Sequence, residues 1–194
     1  AEITVGGVNA SVDYEIKKAT PKADDFIFSV PGNLTYDGSP KTATVTSTKI
    51  DASYVTVKYY QGETKVSDPT NAGTYTVKID VTESGNYTAK ADLTGENWTF
   101  TILKGTYNGT TTPKTIDIVK SRSVAQTGSL TVADFFAAGQ TVPAGATITG
   151  VAPSSGTMMA SVAVNAGTLA YTSNTNITAT ENESYTVTIS TTNY

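Results

Sequence analysis

The sequence predicts an all-β protein built as two small sandwich- or barrel-like domains in tandem. Three observations carry this. Apolar residues recur with period two along several short stretches and almost nowhere at helical spacing. Clusters of Gly, Pro, Asn, Asp and Ser separate those stretches at the intervals of a sandwich or barrel. Thr, Val and Tyr, which suit a half-buried pleated surface, dominate together with the turn residues Asn and Gly. A length of 194 residues allows one large domain or two small ones.

The elements follow in chain order. Residues 1–20, "AEITVGGVNASVDYEIKKAT", hold a Gly-bearing turn and then an alternating stretch with Val12, Tyr14 and Ile16 on one face. "YDGSP" (36–40) is a turn cluster. "YVTVKYY" (54–60) alternates Val55, Val57 and Tyr59 against Thr56, Lys58 and Tyr60. "TYTVKIDV" (74–81) sets Tyr75, Val77, Ile79 and Val81 on one face, and "WTFTIL" (98–103) does the same with Trp98, Phe100 and Ile102. Each pattern predicts one face in a core and one in water. "KGTYNGTTTP" (104–113) has a linker's composition. "TVADFFAAG" (131–139) is the one helical turn expected, with Thr131 as cap, Asp134 three residues on and Gly139 as stop. The second "NAGT" (165–168) sits between two alternating runs and predicts a tight hairpin. The expected organisation is a lead-in strand over 1–19, a domain over 20–104 and a second over 105–194.

Between Asp68 and Gly73 the chain stacks Pro, Asn and Gly directly before its clearest strand. Pro69 sets its own φ and Gly73 can take positive φ. The spacing Asn71-x-Gly73-x-Tyr75-x-Val77 resembles the D-x-A/G-x-Y-x-C run of immunoglobulin-like domains, with Val77 where those have cysteine. There the tyrosine hydroxyl bonds to backbone just upstream. Asn71, Gly73 and Tyr75 are therefore the expected structural corner, placed between two sheets with 75–81 as penultimate strand. An ordinary hairpin loop is the alternative.

"LTYDGSPKTATVT" (34–46), "VKYYQGETKVSDPTNAGTYTVKIDVTESGNYTAKADL" (57–93) and "WTFTILKGT" (98–106) resemble the YDG/MBG-type Ig-like repeats of large secreted and wall-anchored bacterial proteins. The resemblance covers roughly Lys18 to Gly105. It implies a first domain of Ig-like β-sandwich (or β-grasp-like) fold, arrayed in tandem at a bacterial cell surface or secreted, with no catalytic residue to carry over. The second half resembles the same class more distantly: "ESYTVTISTTNY" (183–194) aligns with "GTYTVKIDVTESGNY" (73–87). In the first repeat a final strand is expected after Tyr87. The second stops at Tyr194 and is expected to lack its last strand, while residues 1–20 resemble such a strand. Two arrangements follow. In one, Val12 to Lys17 serves as first strand of the first domain. In the other, residues 1–16 of one chain add to the open edge near 185–189 of another, head to tail.

With neither His nor Cys in the chain, Ser-His-Asp, Cys-His and His-zinc chemistry are excluded, as are disulfides. The 13 Lys and Arg are scattered and the net charge is −4, so no nucleic-acid partner is expected. No apolar run approaches the roughly 20 residues of a membrane span. Asp24-Asp25 lacks the repeated oxygen spacing of a Ca²⁺ loop and reads as a solvated turn. Tyr59, Tyr60 and Trp98 form a carbohydrate platform by type, but alternation sends Tyr59 and Trp98 inward. Glu181 and Glu183 are a glycosidase pair by type, with nothing beside them to raise one pKa. The sequons at Asn86 and Asn97 are what a Thr-rich chain produces by chance. Lys17 or Lys18 could face an Asn for an isopeptide crosslink, without a motif for that bond. No catalytic, cofactor-binding or metal residue is therefore expected, and no cofactor. The expected function is a structural, spacing or adhesive module of a larger extracellular protein, with a carbohydrate-binding accessory module as the alternative. A surface glycan or protein, host or microbial, is the expected partner. A monomer is the expected state, with strand donation its alternative.

Overall fold

The computed structural model describes residues 2–5, 7–153, 157–178 and 182–194. It is all-β, with several antiparallel sheets and only single turns of 3₁₀ helix among the described residues. The chain forms two compact units: Ala1–Leu34 with Ser39–Ile102, and Thr35–Gly38 with Leu103–Tyr194. The "TYDG" segment at 35–38 thus belongs by its contacts to the second unit.

In the first unit, β1 (Glu2–Val5) and β2 (Val8–Ser11) form an antiparallel hairpin. The following residues do not become the unit's first strand. Val12, Tyr14 and Ile16 are 66%, 78% and 89% exposed, and 12–18 carry no strand. The edges of the main sheet are occupied by other segments, and Ala19 gains only a single parallel bridge to Tyr87. Its N–H donates to Asn86 O at 2.9 Å and its carbonyl accepts from Thr88 N at 2.9 Å.

β3 (Ile27–Ser29) pairs with β4 (Thr44–Thr46) in a small sheet. The main sheet contains β5 (Val55–Gln61), β6 (Thr64–Val66), β7 (Gly73–Val81), β8 (Lys90–Leu93) and β9 (Thr99–Ile102). β5 lies between β6 and β7, while β8 and β9 both pair with the other edge of β7. The stretch after Tyr87 is therefore not one final strand, and β7 is not penultimate. β9 pairs with Gly73 to Thr76, β8 with Ile79 and Val81. The interruption leaves no polar group of Val77 unpaired. Its N–H donates to Trp98 O at 2.8 Å, and its carbonyl accepts from Thr94 Oγ1 at 2.8 Å. Asp92, with φ +51, sits at the irregularity within β8, between Lys90, which pairs with Val81, and Leu93, which pairs with Ile79.

The alternating faces become the core. Tyr75, Val77, Ile79 and Val81 are at most 2% exposed, as are Ile102 and the two prolines Pro21 and Pro69. Trp98 stacks on Phe28 (5.8 Å between centroids) and meets Phe26 edge-on at 6.3 Å. Phe100 stacks on Tyr75 at 5.6 Å and takes Tyr59 edge-on at 6.2 Å.

In the second unit, β10 (Thr127–Leu130), β11 (Thr147–Pro153), β12 (Met159–Asn165), β13 (Thr168–Ser173) and β14 (Tyr185–Ser190) make two sheets. One has the order β10-β13-β12 and the other pairs β11 with β14. Leu130, Ile148 and Leu169 form the buried centre, with Val162, Val187 and Ile189 packed around them from both sheets. Among the described residues β11 is the only strand paired with β14. The β12–β13 hairpin turns through Ala166 (φ +46) and Gly167 (φ +79), two positive values in a two-residue loop, as a primed turn requires. The helical turn is shorter than 131–139. It is 3₁₀, over Val132–Phe135, and the Asp134 carboxylate accepts from Thr131 N–H at 2.8 Å and Thr131 Oγ1 at 2.9 Å. Phe136 is already extended and bridges to Thr111, so the turn stops before Gly139.

Candidate functional site

The corner residues meet as follows. β7 opens at Gly73, whose φ of +147 only glycine adopts readily. Two residues on, Tyr75 is 1% exposed, and its hydroxyl donates to Asn71 O at 2.8 Å. Burial pushes the Tyr75 hydroxyl pKa up. Pro69 O accepts from Lys41 N at 2.8 Å, tying the loop to the segment before β4. The loop does not join two sheets: β6 and β7 lie in one sheet on either side of β5, because β6 pairs back onto β5. Tyr75→Phe is expected to cost about 1–2 kcal/mol by losing the hydrogen bond to Asn71 O. A urea midpoint equal to that of the parent protein would remove the corner's energetic role.

The solvent face of the main sheet carries an ion network. Lys58, its side chain 10% exposed, donates to Asp80 Oδ1 at 2.6 Å and to Asp92 Oδ1. Asp80 also accepts from Asp92 N–H at 2.9 Å. Lys58 holds both carboxyls below the usual range, and Asp80, then Asp92, hold the Lys58 ammonium above its own. The lowered carboxyls contribute stability above about pH 4 that is lost as pH falls through their folded values. The raised Lys58 contributes stability fully present below its ordinary pKa, lost only at strongly alkaline pH. The urea midpoint of the first unit is expected to fall as pH drops below about 4, and to fall less in Lys58→Met. Equal slopes in the two proteins would contradict this.

The remaining sequence candidates separate in space or take structural partners. Asp25 accepts from Lys49 Nζ at 2.7 Å and from Lys22 N–H at 2.9 Å, and these bonds, Lys49 first, lower its pKa. Tyr59 and Trp98 are each 7% exposed. Lys78 Nζ sits 4.7 Å above the Tyr60 ring, so the outward tyrosine is covered by a cation. Glu183 accepts from Met158 N–H and from Tyr185 OH at 3.0 Å; Glu181 lies outside the described residues. Lys18 reaches Glu83 at 2.5 Å and Lys17 reaches Glu15 at 3.9 Å, carboxylates rather than amides. Asn86 and Asn97 are exposed. Among the described residues no three acidic side chains converge as a metal shell would require.

One feature escaped the sequence reading. In the second unit Tyr194 stands between Tyr36 and Tyr107, with centroids 5.4 Å apart on each side and interplanar angles of 86° and 73°. Phe136 extends the row edge-on to Tyr107 at 5.7 Å. The three tyrosines line a cleft of about 610 Å³ with Asn108 and Gln140 at its walls, and among the described residues no charged side chain lines it. The backbone sets the row: Tyr36 N–H donates to Leu103 O at 2.9 Å and Gly105 N–H to Asn193 O at 2.9 Å, while Lys104 Nζ donates to Thr191 O at 2.6 Å. The available signal was a repeated tetrapeptide, "TYDG" at 35–38 and "TYNG" at 106–109, whose tyrosines flank Tyr194.

Residues 32–96 match the family model of the MBG domain, a noncatalytic repeat family. The match supports an MBG-type repeat there. It spans β4 to β8, takes in the corner, and ends before Trp98 and β9. No curated protein and no solved structure matches the chain.

Proposed function

We propose that this chain is a noncatalytic module of a larger bacterial cell-surface or secreted protein, serving to space or present other modules or to adhere. The observation that carries the reading is the MBG match over 32–96, lying mostly on the first unit, where several of the polar side chains are tied into the fold. Asp25, Asp80 and Asp92 are tied to lysines, and Tyr75 to its own loop. A second half that is a more distant Ig-like surface domain fits the same role. Antiserum raised against the chain should label intact, unpermeabilised cells that make the parent protein, or its spent medium. Antigen confined to the cytosol would overturn the reading. The tyrosine-lined cleft favours a second reading, a carbohydrate-binding accessory module.

A further inference from the structure

We infer that the cleft of the second unit is a binding site for a neutral saccharide, with Tyr36, Tyr107 and Tyr194 as its aromatic walls. This deepens the second reading and rests on it for the ligand class.

A pyranose offers an apolar C–H face and a rim of hydroxyls that each donate and accept. Aromatic rings cover the first, and amides and hydroxyls satisfy the second. The cleft supplies both. Tyr194 meets both Tyr36 and Tyr107 edge to face and stacks on neither. Asn108 and Gln140 bring amides with donor and acceptor together. The Tyr107 hydroxyl is buried against Gly109, with no hydrogen-bond partner among the described residues, so this tyrosine serves the cleft as an aromatic wall and not through its hydroxyl. The volume, about 610 Å³, lies within the range of small-molecule sites.

No charged side chain among the described residues lines the cleft, and the nearby Lys104 ammonium is spent on Thr191 O and Tyr194 O at 2.6 and 3.1 Å, which argues against phosphate, sulfate or sialic acid, each of which needs a cation facing it. A proline-rich peptide also lies on aromatic ridges, but its prolines carry no N–H. It would leave the amide acceptors of Asn108 and Gln140 unused, whereas saccharide hydroxyls answer both halves of an amide. Gly109 is part of the construction. A Cβ at that position would sit 2.0 Å from the Tyr107 hydroxyl, so only glycine leaves that ring its place.

The test applies the full chain to a printed array of neutral mono- to tetrasaccharides with sialylated and sulfated counterparts. Calorimetric titration of the strongest neutral glycan follows. Binding to at least one neutral glycan is expected, weakened about tenfold or more in Tyr194→Ala and in Gln140→Ala. Gln140 is exposed, so its variant keeps the fold and decides the matter if Tyr194→Ala unfolds the unit. No glycan signal, signal from acidic glycans alone, or affinity unchanged in Gln140→Ala would overturn the inference. So would a proline decapeptide that binds where no glycan does. Failure here leaves surface labelling of intact cells unaffected, so the module's placement is judged separately.

Discussion

Ile79→Ala is expected to destabilise the first unit by about 2–5 kcal/mol, the range for emptying a fully buried large aliphatic site. Ile79 is 0% exposed and lies on β7, paired with Val57 of β5 on one side and Leu93 of β8 on the other. Its neighbours are held by two ladders, so the vacated volume cannot collapse, and the cavity term adds to the transfer term. Trp98 is the only tryptophan in the chain and is 7% exposed. Its fluorescence in urea therefore reports the first unit without contribution from the second. Ile16→Ala is the control. Ile16 is 89% exposed, and its loss should change the midpoint by less than about 0.5 kcal/mol. If the two variants melt alike, β7 is not the centre of that core.

Gly73→Ala should cost about 1–3 kcal/mol, because the φ of +147 at this position belongs to glycine's part of the map. A Cβ there would also lie 2.3 Å from Gln61 Nε2, but that amide ends a flexible side chain and can swing away. The backbone conformation, not the collision, sets the cost. Gly85→Ala makes the comparison: a Cβ at Gly85 meets nothing within 4 Å, and its φ is not positive. Equal urea midpoints for the two variants, again read from Trp98, would show that β7 does not need glycine at its start.

The local pattern made β5, β7 and β9 legible. Period two in "VTVKYY", "TYTVKIDV" and "WTFTIL" follows from a strand having two faces. A face that holds Tyr75, Val77, Ile79 and Val81 can only be the buried one. The turn at Ala166-Gly167 was legible for a similar reason, since two residues between alternating runs leave few conformations open. The corner geometry was within reach too, because Asn71, Gly73 and Tyr75 are near neighbours in sequence and the bond from Tyr75 to Asn71 spans only one loop.

Which sheet each strand joined was another matter. Nothing in "ETKVSDPT" reveals that β6 pairs back onto β5, and that single pairing turns a supposed inter-sheet corner into a loop within one sheet. Nothing in residues 12–17 reveals that the edges of the main sheet are taken by β6, β8 and β9, leaving an alternating stretch exposed. Strand order is a competition among all segments for the same edges, and a segment's own pattern does not contain its competitors.

By itself the sequence determined the all-β class, the buried faces of β5, β7 and β9 and the exclusion of histidine and cysteine chemistry. These depend on residue type and on spacing of a few positions. Only the tertiary structure decided the strand partners, the split of the last strand around Thr94, and the meeting of Tyr36, Tyr107 and Tyr194. Those three tyrosines are remote in the chain. Hydrogen bonds from Tyr36 to Leu103 and from Gly105 to Asn193 bring them together, and long-range pairing of that kind leaves no periodic trace in the segments it joins.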